Sequence, residues 1–209
     1  MIETVSVIVN GKTYKYSKGI TLLEIANELE KDRKHPILLA KINNRFKELS
    51  TTVTEDSEIE FIDLTTREGN RCHVNGLIYM LVYAVKKLYG VKEDIIVQHS
   101  LDKGIYIETT FRLTETKLQA IKESMKALIE ADIPITRVII DRLEAIKYFE
   151  SINDTAKAGV MTYNTNSYIT LYRLGNSYNY FYSKMASSTG KLKEFDLKLE
   201  LEFIIKVIN

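Results

Sequence analysis

Apolar and polar positions change their period several times along the chain, and each change marks an element. Val5, Val7 and Val9 alternate with polar residues, Asn10-Gly11 supplies a type I′ turn and residues 13–16 return, which predicts a β-hairpin. Thr21 then caps a run in which Leu22, Ile25, Ala26 and Leu29 recur at helical spacing, and Glu24 three residues on completes a capping box. Short strands are expected at 38–42, 45–49 and 59–62, with Asn43-Asn44 as the turn between the first two. Around 65–70 the pattern lapses into polar residues, so a first unit over 1–64 and a second over 65–209 are expected.

In the second unit Leu77, Ile78, Leu81, Val82, Val85 and Leu88 mark a helix with a wide apolar face, ended near Tyr89-Gly90. Residues 95–108, IIVQHSLDKGIYIE, place two β-type runs around a turn that carries His99, Ser100, Asp102, Lys103 and Gly104. Thr114 caps a helix whose inward stripe is Leu118, Ile121, Met125, Leu128 and Ile129, and Pro134 breaks it. A strand over 135–140, a helix opened by Asp141 and Glu144 and running through Phe149, and strands over 168–174 and 178–182 follow. Phe195, Leu197, Leu199, Leu201, Phe203 and Ile205 alternate to the end, which predicts one half-buried antiparallel strand. The fold class is therefore α+β: a ubiquitin-like β-grasp of about sixty residues, then an α+β unit with helices packed on a largely antiparallel sheet.

Composition narrows the partners. The 29 basic and 28 acidic residues nearly cancel and form no like-charged block, which argues against a dedicated DNA binder. A single cysteine, Cys72, excludes an internal disulfide and a thiolate cluster for zinc or iron–sulfur within one chain. No apolar run approaches the roughly 20 residues needed to span a bilayer, and MIETVSVIVN lacks the basic region of a secretory signal. A cytoplasmic protein without a membrane partner is expected.

Candidate chemistry is sparse. A phosphate-binding loop needs Gly, four residues, then Gly-Lys-Ser/Thr, because its amides wrap the phosphate while the hydroxyl reaches magnesium. Ser187-Ser188-Thr189-Gly190-Lys191 matches only the tail of that pattern, since position 185 is Met and Leu192 follows the lysine. His73 beside Cys72 has no chelating spacing and reads as a helix-start histidine. At the central hairpin, His99, Ser100 and Lys103 could contact an anion through charge-assisted hydrogen bonds, or could be turn residues only. Tyr163, Tyr168, Tyr172, Tyr178, Tyr180 and Tyr182, with Arg173 and Lys184 among them, could stack bases or could simply favour strands.

Longer stretches resemble known families. Lys18-Gly19-Ile20-Thr21-Leu22-Leu23-Glu24-Ile25-Ala26, Pro36, Leu39-Ala40-Lys41-Ile42-Asn43 and Asp56-Ser57-Glu58-Ile59-Glu60-Phe61 resemble a TGS domain. The second unit resembles the second N-terminal domain of threonyl-tRNA synthetase and the editing domain of alanyl-tRNA synthetase. In those editing domains a His-x-x-x-His pair and a later Cys-x-x-x-His pair bind metal or position water; the matching positions here are Asn75, Tyr79, Tyr182 and Ala186, all substituted. His99-Ser100-x-x-Lys103-Gly104-x-Tyr106 and Met185-x-x-Ser188-Thr189-Gly190-x-Leu192-Lys193-x-Phe195-Asp196-Leu197 resemble elements of the uridine-kinase-like nucleoside kinases. That resemblance implies an accessory ligand-sensing or docking region, with His99, Ser100, Lys103, Tyr106, Ser188, Thr189 and Gly190 as ligand contacts. It also implies no cofactor in this chain, and ATP and Mg in a P-loop kinase domain beyond Asn209. The alternative implied by the synthetase resemblance is an aminoacyl-tRNA deacylase or a tRNA-binding module, so a nucleotide or a tRNA is the expected ligand.

Overall fold

The computed structural model describes residues 3–29, 33–101, 104–201 and 204–208. The chain is α+β. Its first part contains β1 (Thr4–Val9), β2 (Lys12–Ser17), α1 (Leu22–Leu29), β3 (Leu39–Ile42), β4 (Arg45–Glu48) and β5 (Ser57–Ile62). The sheet order is β2-β1-β5-β3-β4, with β1 and β5 parallel and the other pairs antiparallel. Asn10 and Gly11 take φ of 51° and 75°, and Asn43 and Asn44 take 46° and 64°, the left-handed geometry that type I′ turns require. The capping box forms: Glu24 N–H donates to Thr21 Oγ1 at 3.2 Å, and Thr21 N–H donates to Glu24 Oε2 at 2.8 Å. Val5, Val7 and Val9 pack with Leu22, Ile25 and Ala26 of α1 in one apolar core.

A four-residue connection then leads into α2 (Arg67–Tyr89), whose N-cap Thr66 accepts from Gly69 N–H at 3.1 Å. A Cβ added at Gly69 would lie 1.8 Å from the Asp63 carbonyl oxygen, so the chain doubles back tightly there. The remaining elements are β6 (Ile95–Leu101), β7 (Gly104–Thr109), α3 (Glu115–Glu130), β8 (Ile135–Asp141), α4 (Arg142–Ser151), α5 (Thr155–Tyr163), β9 (Tyr168–Leu174), β10 (Ser177–Asn179), a 3-10 turn at Thr189–Lys191, β11 (Asp196–Leu201) and β12 (Ile204–Ile208). Two antiparallel sheets result, of order β10-β9-β8 and β11-β12-β7-β6, where the pattern predicted one.

Helix α2 is the central post of this part. Tyr79, Met80, Leu81, Ala84 and Val85 are buried against Leu118, Ile121, Met125 and Leu128 of α3, Ile107 of β7 and Leu174 of β9. Leu38, Leu39 and Ile62 from the first sheet belong to the same core. A smaller core under α4 and α5 gathers Ala145, Phe149, Ala158, Met161, Ile169 and Leu171.

Two further expectations are corrected, and one element is added. The terminal alternating run is a hairpin, with Leu201 opposite Ile204, and not one strand. Alternation fixes which face a residue shares and carries no signal for reversal, and no Gly or Pro marks this turn. The strand expected at 178–182 stops at Asn179, beyond which Tyr180 to Tyr182 leave the sheet. Helix α5 has no counterpart among the expected elements. Among the described residues, no helix is long and apolar enough to cross a membrane.

Candidate nucleic-acid interface

Of the positions matched to the editing residues, Asn75 and Tyr79 serve as scaffold. Asn75 and Tyr79 lie one turn apart on α2, so they share a face. Asn75 Nδ2 donates to Ser183 Oγ, which ties the 180–186 segment to the helix. Tyr79 is 0% exposed. Its hydroxyl lies 2.8 Å from the carbonyl oxygens of both Tyr172 and Ser177, and its ring lies 5.6 Å from that of Phe181. Burial, foremost, pushes its phenol well above the usual range, so it stays a donor. Ala186 is buried, whereas Tyr182 is 84% exposed.

Around this scaffold opens a cleft of about 550 Å³, walled by Phe46, Lys47, Glu48 and Thr51 of the first part and by Arg137, Thr170, Tyr172 and residues 180–184 of the second. The Tyr180 and Tyr182 rings meet edge to face at 4.9 Å at its rim. Lys47, Arg137 and Lys184 bring three positive charges. Glu48 is the facing acid, and its carboxylate accepts from the Tyr172 hydroxyl and from Met185 N–H at 3.1 Å. Burial and then the bond to Glu48 push the Tyr172 phenol up, so the pair is a held hydrogen bond.

The thiol and the α2 imidazole are withdrawn from chemistry. Cys72 is buried, and burial, helped by the Glu48 carboxylate, pushes its thiol far above the range where a thiolate forms at neutral pH. His73 is 1% exposed, and its Nε2 has no hydrogen-bond partner. Burial lowers its pKa against the pull of Glu194, so the imidazole is neutral and shut away from water. Among the described residues, no group of three His, Cys, Asp or Glu side chains is arranged to hold a metal ion.

The other candidate contacts divide. Thr189 is fully buried, with its hydroxyl donating to Leu128 O at 2.5 Å and accepting from Ile133 N–H at 2.8 Å, so it fastens the 3-10 turn to α3. Ser188 is buried in an extended backbone that bridges to Pro134. Gly190 N–H donates to Asp132 Oδ1 at 3.0 Å. Tyr106 is half-buried on β7, opposite Lys206 of β12. Lys103 lies outside the described residues, as do the side chains of His99 and Ser100, whose backbones run in β6. Among the described residues, none from the β6–β7 hairpin lines the cleft.

No protein family model matches the chain. It is similar to threonine–tRNA ligases. With the enzyme of Desulforamulus reducens it is 26% identical over 193 residues, with that of Methylobacillus flagellatus 27% over 191, and with threonine–tRNA ligase 1 of Bacillus subtilis 28% over 192. Each match takes in 90% of this chain and 30% of the ligase, so the chain spans under a third of the length of these curated relatives. The likeness agrees with the synthetase resemblance of the second unit. Neither a kinase parent nor a TGS assignment draws support from these relatives.

The tyrosine-rich stretch flagged this region, but Lys47, Glu48 and Arg137 were missed. Glu48 meets Tyr172 across 124 positions and Met185 across 137, a proximity that spacing rules do not reach.

Proposed function

We propose that this chain, as two units over 1–64 and 65–209, is a tRNA-binding module of the threonyl-tRNA synthetase kind that holds a single-stranded RNA end without hydrolysing it. The observation that carries the reading is the cleft itself: exposed Tyr182 against Tyr180 at its rim and three cations along its walls. In the synthetase resemblance, Asn75, Tyr79, Tyr182 and Ala186 stand in for the His and Cys groups of the editing domains. Similarity to threonine–tRNA ligases over 90% of the chain supports the RNA class. In this reading Lys47, Arg137 and Lys184 take backbone phosphates, while Tyr182 offers a flat face to an unpaired base. The imidazole of His73 is neutral and enclosed, which keeps it from serving as a general base.

Fluorescence anisotropy with labelled, uncharged threonine tRNA tests the binding. Three phosphate contacts predict a log–log salt slope of about −2 for a single strand. Tyr182→Ala is expected to weaken binding by about 1–3 kcal/mol, the worth of one base–aromatic stack. Absent or salt-insensitive binding rejects the proposal. Mischarged tRNA is expected to keep its amino acid at the rate seen in buffer; release that His73→Ala or His99→Ala abolishes would establish a deacylase instead.

A further inference from the structure

A second and larger cleft, of about 640 Å³, lies between α1 and the 190–194 segment and shares no lining residue with the first. Its composition is split. Ala26, Ile37 and Leu49 are buried and give it an apolar floor, to which Leu23 and Pro36 add. Lys34, Lys191 and Lys193 stand around that floor, and among the described residues none of their ammonium groups has a carboxylate within ion-pair distance. The two acids of the lining are already engaged: Glu194 Oε1 lies 2.7 Å from His35 Nδ1, and Asp132 Oδ1 accepts from Gly190 N–H.

The approach of that segment is built into the sequence. A Cβ at position 190 would lie 2.2 Å from Asp132 Oδ1, so a side chain there would displace the Asp132 carboxylate on which the turn rests. His35 and Glu194, 159 positions apart, join the two walls.

We propose that this cleft is a binding site for a free nucleoside diphosphate. A volume of several hundred Å³ with an apolar floor and polar groups converging around it is that of a small-ligand pocket. Three lysines with no ion-pair partner among the described residues match the roughly three negative charges of a diphosphate monoester at neutral pH. A bare phosphate or an RNA backbone would leave the apolar floor against water, whereas a nucleoside covers the floor while its diphosphate meets the lysines. Asn27 lines the same cleft from α1 and supplies an amide to the base edge. The site stands independently of RNA binding in the first cleft.

Isothermal titration of the full chain with ADP, GDP, CDP and UDP, and with adenosine and pyrophosphate, tests it. At least one nucleoside diphosphate is expected to bind one-to-one, and the free nucleoside or pyrophosphate about tenfold or more weakly. Each of Lys34→Gln, Lys191→Gln and Lys193→Gln is expected to weaken that binding by about three- to fivefold, and the triple variant by about 30- to 100-fold. Melting temperature and tRNA binding of the triple variant are expected to stay as in the parent chain. Failure of all four diphosphates to bind at millimolar concentration overturns the proposal. So does pyrophosphate binding as tightly as the diphosphates, which would leave an anion patch only, or a triple variant that keeps the diphosphate and loses tRNA.

Discussion

Tyr79 shows how one side chain decides between chemistry and structure. Its single hydroxyl proton is shared between the buried carbonyl oxygen of Tyr172 in β9 and the part-buried one of Ser177 in β10. Tyr79→Phe leaves both short of a donor, and a loss of about 1–3 kcal/mol of stability is expected in denaturant titrations. One full turn earlier and two residues back, His73 makes the opposite choice, buried with Nε2 unpartnered and with the charge of Glu194, itself paired to His35, acting on it. Its folded pKa lies below the ordinary 6.5, so the unfolded chain takes up this proton first and stability falls as pH drops through that value. Melting temperatures measured from pH 7 to 5 are expected to fall, and His73→Leu is expected to flatten the fall. Parallel profiles in the two proteins would assign the effect to other groups.

Among the elements, helix α5 depends most visibly on one residue. Asp154 is buried, its Oδ1 accepts from Lys157 N–H at 3.0 Å, and its Oδ2 lies 2.6 Å from Lys157 Nζ. Asp154→Ala is expected to cost about 1–2 kcal/mol, read as a lowered denaturant midpoint. This helix was illegible in advance because TAKAGVMTY carries only Ala158 and Met161 to the core, too few for a helical period to stand out. The β1–β2 hairpin lies at the other extreme. There Asn10-Gly11 and three alternating valines report turn and face together, and the registers follow. The hairpin of β11 and β12 falls between, since its alternation told the face of each residue and hid the reversal.

For the whole molecule, the contacts between distant segments are the part that sequence spacing could not disclose. Glu48 joins β4 to β9 and to the 180–186 segment, Arg33 pairs with Asp63 at 3.2 Å, and Leu38, Leu39 and Ile62 enter the core built on α2. The Glu48 contacts depend on how two sheets meet, so motif reading found the tyrosines of the candidate site but not the carboxylate that holds Tyr172. Glu48→Gln and Tyr172→Phe are expected to be non-additive by about 0.5–3 kcal/mol in a double-mutant cycle. Simple additivity would remove the pair as a link between the two walls of the cleft. The close approach of Gly69 to the Asp63 carbonyl, with four residues between β5 and α2, bears on those same walls. It leaves no slack chain that could serve as a hinge, so swinging one wall away from the other would require unwinding the start of α2. Under the proposed tRNA-binding function, an RNA end would gain its affinity by fitting a jaw already set at one gape, and mutations that lengthen 63–66 are expected to weaken binding without touching any residue the RNA would meet.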